Sequence, residues 1–251
     1  MLPAEQQHLS RLRRAIATSE ALVDEARMLP LGVAAVDAAL GGGLPCAALH
    51  ELSAAPLNVG AAAGFALALA ALANESARQA LWIVTDFGSL ETGALYGPGL
   101  DEFGLDTGQL LIARVARPID ALFAMEEALK CRALATVVTE LPEPPDLTAT
   151  RRLLLAAREG GALGLLLCHK PSDAPSAART RWRVAPAPSQ PDEFGGLGRT
   201  AFSLTLTRNR RGPCGTFTLA WDHHEHAFAA LSLGVAETAG DRPDREELRT
   251  G

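Results

Sequence analysis

The chain has 251 residues, of which 48% are hydrophobic, so it can bury a sizeable core as one large or two small domains. Its formal net charge of −6 argues against non-specific coating of DNA and against adhesion to anionic membranes. Only two of its 23 basic residues are lysines, Lys130 and Lys170, so no side chain in the first half of the chain carries an ammonium group.

The first element along the chain is an amphipathic helix, predicted within an N-terminal segment of residues 1–28. Apolar residues recur there at helical spacing, namely Leu9, Leu12, Ile16, Val23 and Ala26. We expect this helix either to cover the core or to dock on another molecule. A second copy of the chain is one such molecule, so self-association through the helix is one of the predicted interactions.

Residues 29–232 alternate between apolar runs and helix-forming stretches. Strands are predicted at 47–52, 81–85, 110–114, 136–139 and 163–168, and helices at 61–73, 119–132 and 148–159, with a short helix before Tyr96. This alternation is typical of an α/β fold with a mostly parallel sheet covered on both faces. Four further β-like runs, at 181–185, 202–207, 216–221 and 227–231, predict an antiparallel C-terminal extension of that sheet. The charged residues 233–251 predict a disordered tail.

The early strand, loop and helix occupy the place of a phosphate-binding loop, in which backbone N–H groups and a helix N-terminus hold phosphates. Such a loop needs a lysine for the β- and γ-phosphates and a hydroxyl group for Mg²⁺. The corresponding residues here are Gly60, Ala61 and Ala62, which supply neither group. No other lysine lies in this half of the chain to substitute for the missing one.

The whole layout resembles the RecA/RadA-type recombinase core, and more closely the ImuA family, the RecA-like accessory proteins of bacterial damage-induced (SOS) mutagenesis. The resemblance begins with LPLGVAAVDAALGGGLPCAALHEL and continues through LWIVTDF, ATVVTEL and LGLLLCHK to SLTLTRNRRG. It therefore implies a RecA-like core over residues 29–232.

The resemblance also assigns the remaining nucleotide-site positions. It places Asp86 where the water-activating Glu would be, Thr139, with Glu140 beside it, where the Mg²⁺-associated Asp would be, and Lys170 near the ATP-sensing Gln. Phosphoryl transfer depends on positioning and on neutralising the developing charge. Because the lysine, the hydroxyl and the Asp are lost together, we expect a degenerate nucleotide site, no ATP hydrolysis and no cofactor.

Contact with DNA is expected to be weak along the two connections that reach DNA in a RecA-type recombinase. The connection after Thr139 (140–146) and the one after Lys170 (171–175) are short, rich in proline and acidic or neutral. Phosphate contacts need lysine or arginine. A strand-exchange filament is therefore disfavoured.

Two arginine groups remain candidates for contact with a nucleic acid or a partner. Arg181 and Arg183 flank Trp182, which suggests a single-strand stacking patch. An alternating strand, with Trp182 inward and both arginines outward, is the favoured interpretation. The second group is Arg208, Arg210 and Arg211, which form either a solvated hairpin turn or a contact to a nucleic acid or an acidic partner.

Other polar residues favour structural interpretations. His223, His224 and His226 invite a metal-site hypothesis, but adjacent turn positions do not easily converge on one ion, so a surface turn is favoured and no metal is expected. Asp86 and Glu140 form a candidate acid pair at the carboxyl edge of the sheet, although a solvated edge is favoured. Cysteines 46, 131, 168 and 214 lie far apart and indicate buried free thiols.

The ImuA resemblance implies a non-catalytic adaptor of damage-induced translesion DNA synthesis. It implies as partners an ImuB-like polymerase-related protein and an error-prone replicative-type DNA polymerase, with RecA as a further candidate. The alternatives are a divergent RecA-family ATPase and a SulA-like cell-division inhibitor, and the chain length and the GGLP-to-RNR match disfavour the second. The start of the chain lacks the apolar stretch of a signal peptide, so a cytoplasmic protein without membrane contact is expected.

Overall fold

The computed structural model describes residues 27–74, 78–189, 196 and 198–231. The tail predicted at 233–251 lies outside these residues, and so does the predicted N-terminal helix up to residue 26. Arg27 and Met28 are described. Arg27 belongs to no helix or strand, and Met28 begins a short strand.

The described chain alternates strands and helices from one end to the other. In chain order these are β1 (Met28–Leu29), α1 (Ala34–Leu40), β2 (Leu44–Pro45), β3 (Ala48–Ser53), α2 (Val59–Ala73), β4 (Gln79–Thr85), α3 (Asp86–Thr92), α4 (Gly97–Glu102), β5 (Leu110–Val115), α5 (Pro118–Lys130), β6 (Leu134–Leu141), α6 (Leu147–Gly160), β7 (Leu163–Cys168), β8 (Thr180–Pro186), β9 (Thr200–Asn209), β10 (Gly215–Asp222) and β11 (Ala227–Ala230). Single 3₁₀ turns precede α2 and β5, at Pro56–Asn58 and Thr107–Gln109.

Within the described residues nine strands form one sheet, in the order β11-β10-β9-β8-β3-β7-β6-β4-β5. The pairs from β5 to β8 are parallel, and the pairs from β8 to β11 are antiparallel. β1 and β2 form a separate two-stranded antiparallel sheet. The predicted α/β class, the mostly parallel sheet and its antiparallel extension are confirmed, and they are compatible with a RecA-like core.

One face of the sheet is covered by α2. Residues 56–73 have a mean hydropathy of 1.7 and are long and apolar enough to cross a membrane by length and composition. In the structure this segment packs against the sheet. The ring of Phe65 lies 6.0 Å from that of Trp182 and 5.6 Å from that of Phe228. The apolar character of α2 is therefore that of a helix buried in the core.

The other face is covered by α5 and α6, whose buried residues include Met125, Leu129 and Leu153. The two helices approach closely at Gly160, where an added Cβ would lie 2.1 Å from the carbonyl oxygen of Leu129. A side chain at this position would force the helices apart. Gly160 therefore sets the distance between α5 and α6.

The parallel strands all point in one direction, so their carboxyl ends meet at one edge of the sheet. This edge brings together the connections that follow β3, β4, β5, β6 and β7. The candidate nucleotide-site residues occupy these strand ends and the segments that follow them.

Candidate functional site

The connection between β3 and α2 does not form an open loop. Pro56 lacks an N–H group, and the N–H of Asn58 bonds the carbonyl of Ala55 at 2.8 Å. No side chain caps the start of α2 at Val59, and Gly60, Ala61 and Ala62 lie in its first turns. Ala62 is fully buried, and an added Cβ on Gly60 would meet no other atom within 4 Å. These three residues thus offer a phosphate no charge and no hydroxyl group.

The other three positions predicted by resemblance each have their own surroundings. Asp86 begins α3 and is exposed, with its carboxylate 3.8 Å from Nε of Arg114. Thr139 is fully buried within β6. Lys170 donates to Glu143 at 2.7 Å, and this hydrogen bond raises the pKa of Lys170 and lowers that of Glu143. Lys170, which the resemblance places near the ATP-sensing Gln, is therefore paired with a residue of the connection after β6.

Glu140 is buried, so the expectation of a solvated edge is wrong for this acid, although it holds for Asp86. Its Oε1 accepts a hydrogen bond from the indole N–H of Trp82 at 2.6 Å. Its Oε2 lies 3.6 Å from Nε2 of His169, beyond hydrogen-bond distance. Asp86 is exposed and faces Arg114 instead. The two acids therefore occupy different environments.

Glu140 and His169 line a cavity of about 230 Å³ at the carboxyl edge, which we call the carboxyl-edge cavity. Its walls come from the start of α3, the connection between β5 and α5, and the ends of β6 and β7. The lining residues are Thr85, Phe87, Gly88, Glu91, Ala116, Pro118, Glu140, Leu141, Pro142 and His169.

A second cavity, of about 130 Å³, lies beside it between the first turns of α5 and α6. Ile119, Leu122, Phe123 and Leu153 supply its apolar lining, with Glu126 and Arg152 at its side. Glu126 and Arg152 form an ion pair that joins α5 to α6. This cavity is too small for a typical small-molecule ligand, which needs about 300 Å³ or more.

Large apolar side chains are exposed on α3, α5 and α6, and some of them line the two cavities. We call these the α3–α5–α6 apolar surface: Phe87, Leu90, Ile119, Phe123 and Leu155, each at least 62% exposed. Phe87 lines the first cavity, and Ile119 and Phe123 line the second. Pro118 of the first cavity and Ile119 of the second are consecutive residues of α5.

Arg181 is buried, which corrects the expectation that it points outward into solvent. Its Nε lies 2.5 Å from Oε2 of Glu51, and its Nη2 donates to the carbonyl of Ala174 at 2.8 Å. Ser176 donates to the other oxygen of Glu51. The inward position of Trp182 and the outward position of Arg183 are confirmed. Because Arg181 is enclosed, it cannot contact a nucleic acid in this structure.

The basic hairpin at 208–212 is tied to the rest of the fold. The guanidinium of Arg210 donates to the carbonyls of Ala178 and Ser176, both at 3.3 Å. Burial and the nearby charges of Arg208 and Arg158 lower the pKa of Arg210. Arg208 is half-buried and Arg211 is exposed. Arg210 thus has a structural role, and contact of this hairpin with a partner stays a prediction.

The histidine-rich turn is built from local hydrogen bonds. Nδ1 of His223 lies 3.0 Å from the carbonyl of Glu102, and its Nε2 lies 3.1 Å from Oγ1 of Thr200. The N–H groups of His224 and Glu225 both bond the carboxylate of Asp222, which lowers its pKa. Within the described part of the chain, no group of three or more His, Cys, Asp or Glu residues is arranged to hold a metal ion.

The expectation that all four thiols are buried is wrong for two of them. Cys46 and Cys168 are buried, and burial raises the pKa of the Cys168 thiol. Cys131 and Cys214 are exposed. Cys131 follows the C-terminus of α5, and Cys214 lies in the hairpin between β9 and β10, positions that the apolar pattern alone does not distinguish from buried ones.

Comparison with protein-family profiles gives no match for the chain. Curated relatives do match it. Two proteins named "Protein ImuA", from two strains of Caulobacter vibrioides, are each 33% identical to this chain over 225 residues. The matched region covers 82% of this chain and 89% of each relative. Identity at this level over most of both chains agrees with the family motifs from LPLGVAAVDAALGGGLPCAALHEL to SLTLTRNRRG. The chain belongs to the ImuA family.

Proposed function

We propose that this protein is a non-catalytic adaptor of damage-induced translesion DNA synthesis that holds its partners through the α3–α5–α6 apolar surface. Membership of the ImuA family supports the setting of damage-induced mutagenesis. The proposed partners are an ImuB-like polymerase-related protein and an error-prone replicative-type DNA polymerase, with RecA as a further candidate. The exposed apolar surface is the observation that carries the proposal.

This surface has the composition of a protein interface. Exposed apolar side chains that are contiguous, unlike scattered ones, mark interaction sites. Phe123 is 62% exposed beside a cavity that admits a small side chain from a partner. Aromatic residues next to such cavities are enriched among the residues that dominate binding energy. On the neighbouring edge strand β5, Leu111 is also exposed, and it lies on the same sheet face as Ala113 and Val115, which pack with the α5–α6 core.

Substitution of Phe123 by aspartate tests the surface directly. We expect Phe123→Asp to weaken binding of the purified full-length protein to an ImuB-like partner by at least about 30-fold, the loss typical of a dominant interface residue. Leu57→Asp is the matched control, because Leu57 is 99% exposed but lies in the connection before α2. Binding is measured by co-purification and by surface plasmon resonance.

The proposal fails if the wild-type pair does not associate. It also fails in its choice of surface if Phe123→Asp binds as tightly as Leu57→Asp while both variants melt at the wild-type temperature. Light scattering on the same samples shows whether a second copy of the chain, instead of the partner, covers the surface.

The absence of catalysis is part of the same proposal, and the closed turn at Pro56–Asn58 supports it. We expect calorimetric titration with Mg·ATP to show no saturable heat, because residues 59–62 at the start of α2 include no lysine, hydroxyl or acidic side chain. Ala61→Lys should not create a site, since the closed turn at Pro56–Asn58 replaces the glycine-rich loop whose backbone N–H groups would surround phosphates. Saturable binding with a Kd below about 100 µM would favour the divergent ATPase instead.

A further inference from the structure

The carboxyl-edge cavity contains two polar groups whose hydrogen-bonding capacity is unused among the described residues. The side chain of Glu140 is only 10% exposed, and its Oε2 lies 3.6 Å from Nε2 of His169, too far for a hydrogen bond. Nε2 of His169 is itself buried without a hydrogen-bond partner in the described structure. A buried polar atom such as Nε2 of His169 destabilises a protein unless something completes its hydrogen bond, and Oε2 of Glu140 has unused accepting capacity beside it.

The surroundings of these two groups define the chemistry of an occupant. Phe87, Pro118 and Pro142 supply flat, apolar walls, and Glu91 adds a second carboxylate. The described lining contains neither lysine nor arginine, so the cavity favours a positive charge. Its volume of about 230 Å³ is below the range of about 300 to 1,000 Å³ for small-molecule sites and suits one inserted side chain.

We propose that the carboxyl-edge cavity receives one arginine side chain from a protein partner. A planar guanidinium can donate one N–H to Oε2 of Glu140 and another to Nε2 of His169 in its neutral Nδ1–H tautomer, while its face lies on the ring of Phe87. A lysine ammonium lacks both the planar face and the forked donors, and it is more strongly hydrated. Arginine is therefore the side chain that satisfies all three groups.

The position of the cavity makes the partner protein the source of this arginine. Phe87 belongs both to the cavity and to the α3–α5–α6 apolar surface, and Pro118 adjoins Ile119 on that surface. A protein that covers the surface brings its own side chains to the mouth of the cavity. In this respect the inference rests on the proposed function.

The chemistry of the cavity is tested first with a small probe. N-acetyl-arginine amide is titrated into ¹⁵N-labelled full-length protein, and the indole resonance of Trp82 is followed, because this N–H bonds Glu140 directly. We expect a saturable shift with a Kd on the order of 1 mM. N-acetyl-citrulline amide, which has nearly the same shape and no charge, should produce no saturable shift. Equal shifts with both probes, or none with either, overturn the proposal.

Glu140→Gln should weaken binding of the probe at least about 10-fold, since a charged hydrogen bond contributes about 1.5–3 kcal/mol. The glutamine keeps an oxygen that accepts from Trp82, so the fold is preserved. Glu143→Gln is the matched control, because Glu143 is exposed, is paired with Lys170 and does not line the cavity. If Glu140→Gln fails to fold, the comparison of the two probes on the wild-type protein still decides the chemistry of the cavity.

The source of the arginine is tested with the partner itself. Glu140→Gln should weaken binding of the ImuB-like protein, while Glu143→Gln should not. If Phe123→Asp abolishes binding but Glu140→Gln leaves it unchanged, the proposed function stands and the arginine proposal falls. If the partner binds neither the wild-type protein nor the variants, the proposed function fails. The proposal that a partner protein supplies the arginine then fails with it.

Discussion

Replacing Arg181 by alanine should lower the free energy of unfolding by about 3–5 kcal/mol, because it leaves the buried carboxylate of Glu51 without its cation. Both side chains of this pair are less than 10% exposed. The same substitution frees the carbonyl of Ala174 and loosens the segment between β7 and β8. Urea denaturation followed by circular dichroism measures the change.

Arg183→Ala is the matched control, since it removes the same side chain two residues further along β8. Arg183 is 45% exposed and pairs with Asp173, which is 84% exposed, so its loss should cost about 1 kcal/mol or less. If Arg181→Ala is as mild as Arg183→Ala, the Glu51–Arg181 pair is not the buried anchor of this segment. Glu51→Gln, which keeps the shape of the acid, separates loss of charge from loss of packing.

Gly160→Ala should destabilise the protein by about 3 kcal/mol, at the upper end of the range for overpacking. The added Cβ would lie 2.1 Å from the carbonyl oxygen of Leu129 and 2.7 Å from the carbonyl carbon of Lys130. Both contacts are with backbone atoms, which cannot turn away as a flexible side chain does. Thermal unfolding monitored by calorimetry gives the size of the effect.

Glu159→Ala serves as the control for Gly160→Ala, because Glu159 precedes it on α6 and is exposed. A surface substitution of this kind should change stability by about 0.5 kcal/mol or less. Gly160→Ala should also weaken binding of the ImuB-like partner, since α5 and α6 both contribute to the apolar surface. Wild-type stability in Gly160→Ala would show that the two helices can separate at little cost.

Local pattern was enough to find the strands and helices of the core. Residues 163–168 are an uninterrupted apolar run between turn-forming residues, and the structure has β7 at those positions. Runs of this kind are predictable because a parallel strand is buried on both faces. The short strands β1 and β2 carry no such periodic signal, so the sequence pattern does not predict them.

The polar side chains of the site were harder to predict, because their partners are distant in sequence. Arg181 and Trp182 alternate along β8, which predicts one inward and one outward side chain. Both are buried, since residues 174–178 cover the second face. The sequence does contain one signal for this pair. Glu51 lies in the buried central strand β3, and a charge in such a strand requires a buried partner.

Glu140 illustrates the same limit at the carboxyl edge. Its surroundings depend on the alignment of β4 with β6, which places Trp82 opposite Val138 and within reach of Glu140. A single sequence does not specify that alignment. The phosphate-loop positions differ in this respect, because the missing lysine and hydroxyl at residues 61 and 62 are visible without any knowledge of the fold.

The central position of β3 has a consequence for how the protein is made. Both neighbours of β3 in the sheet come much later in the chain, and Glu51 meets Arg181 only after 130 further residues have been added. At about 5–20 residues per second, a ribosome needs roughly 7 to 26 seconds to supply them. During that interval β3 exposes its apolar side chains, two unpaired backbone edges and the unpaired carboxylate of Glu51. The N-terminal half of the nascent chain is therefore the part most open to aggregation and to chaperones during translation.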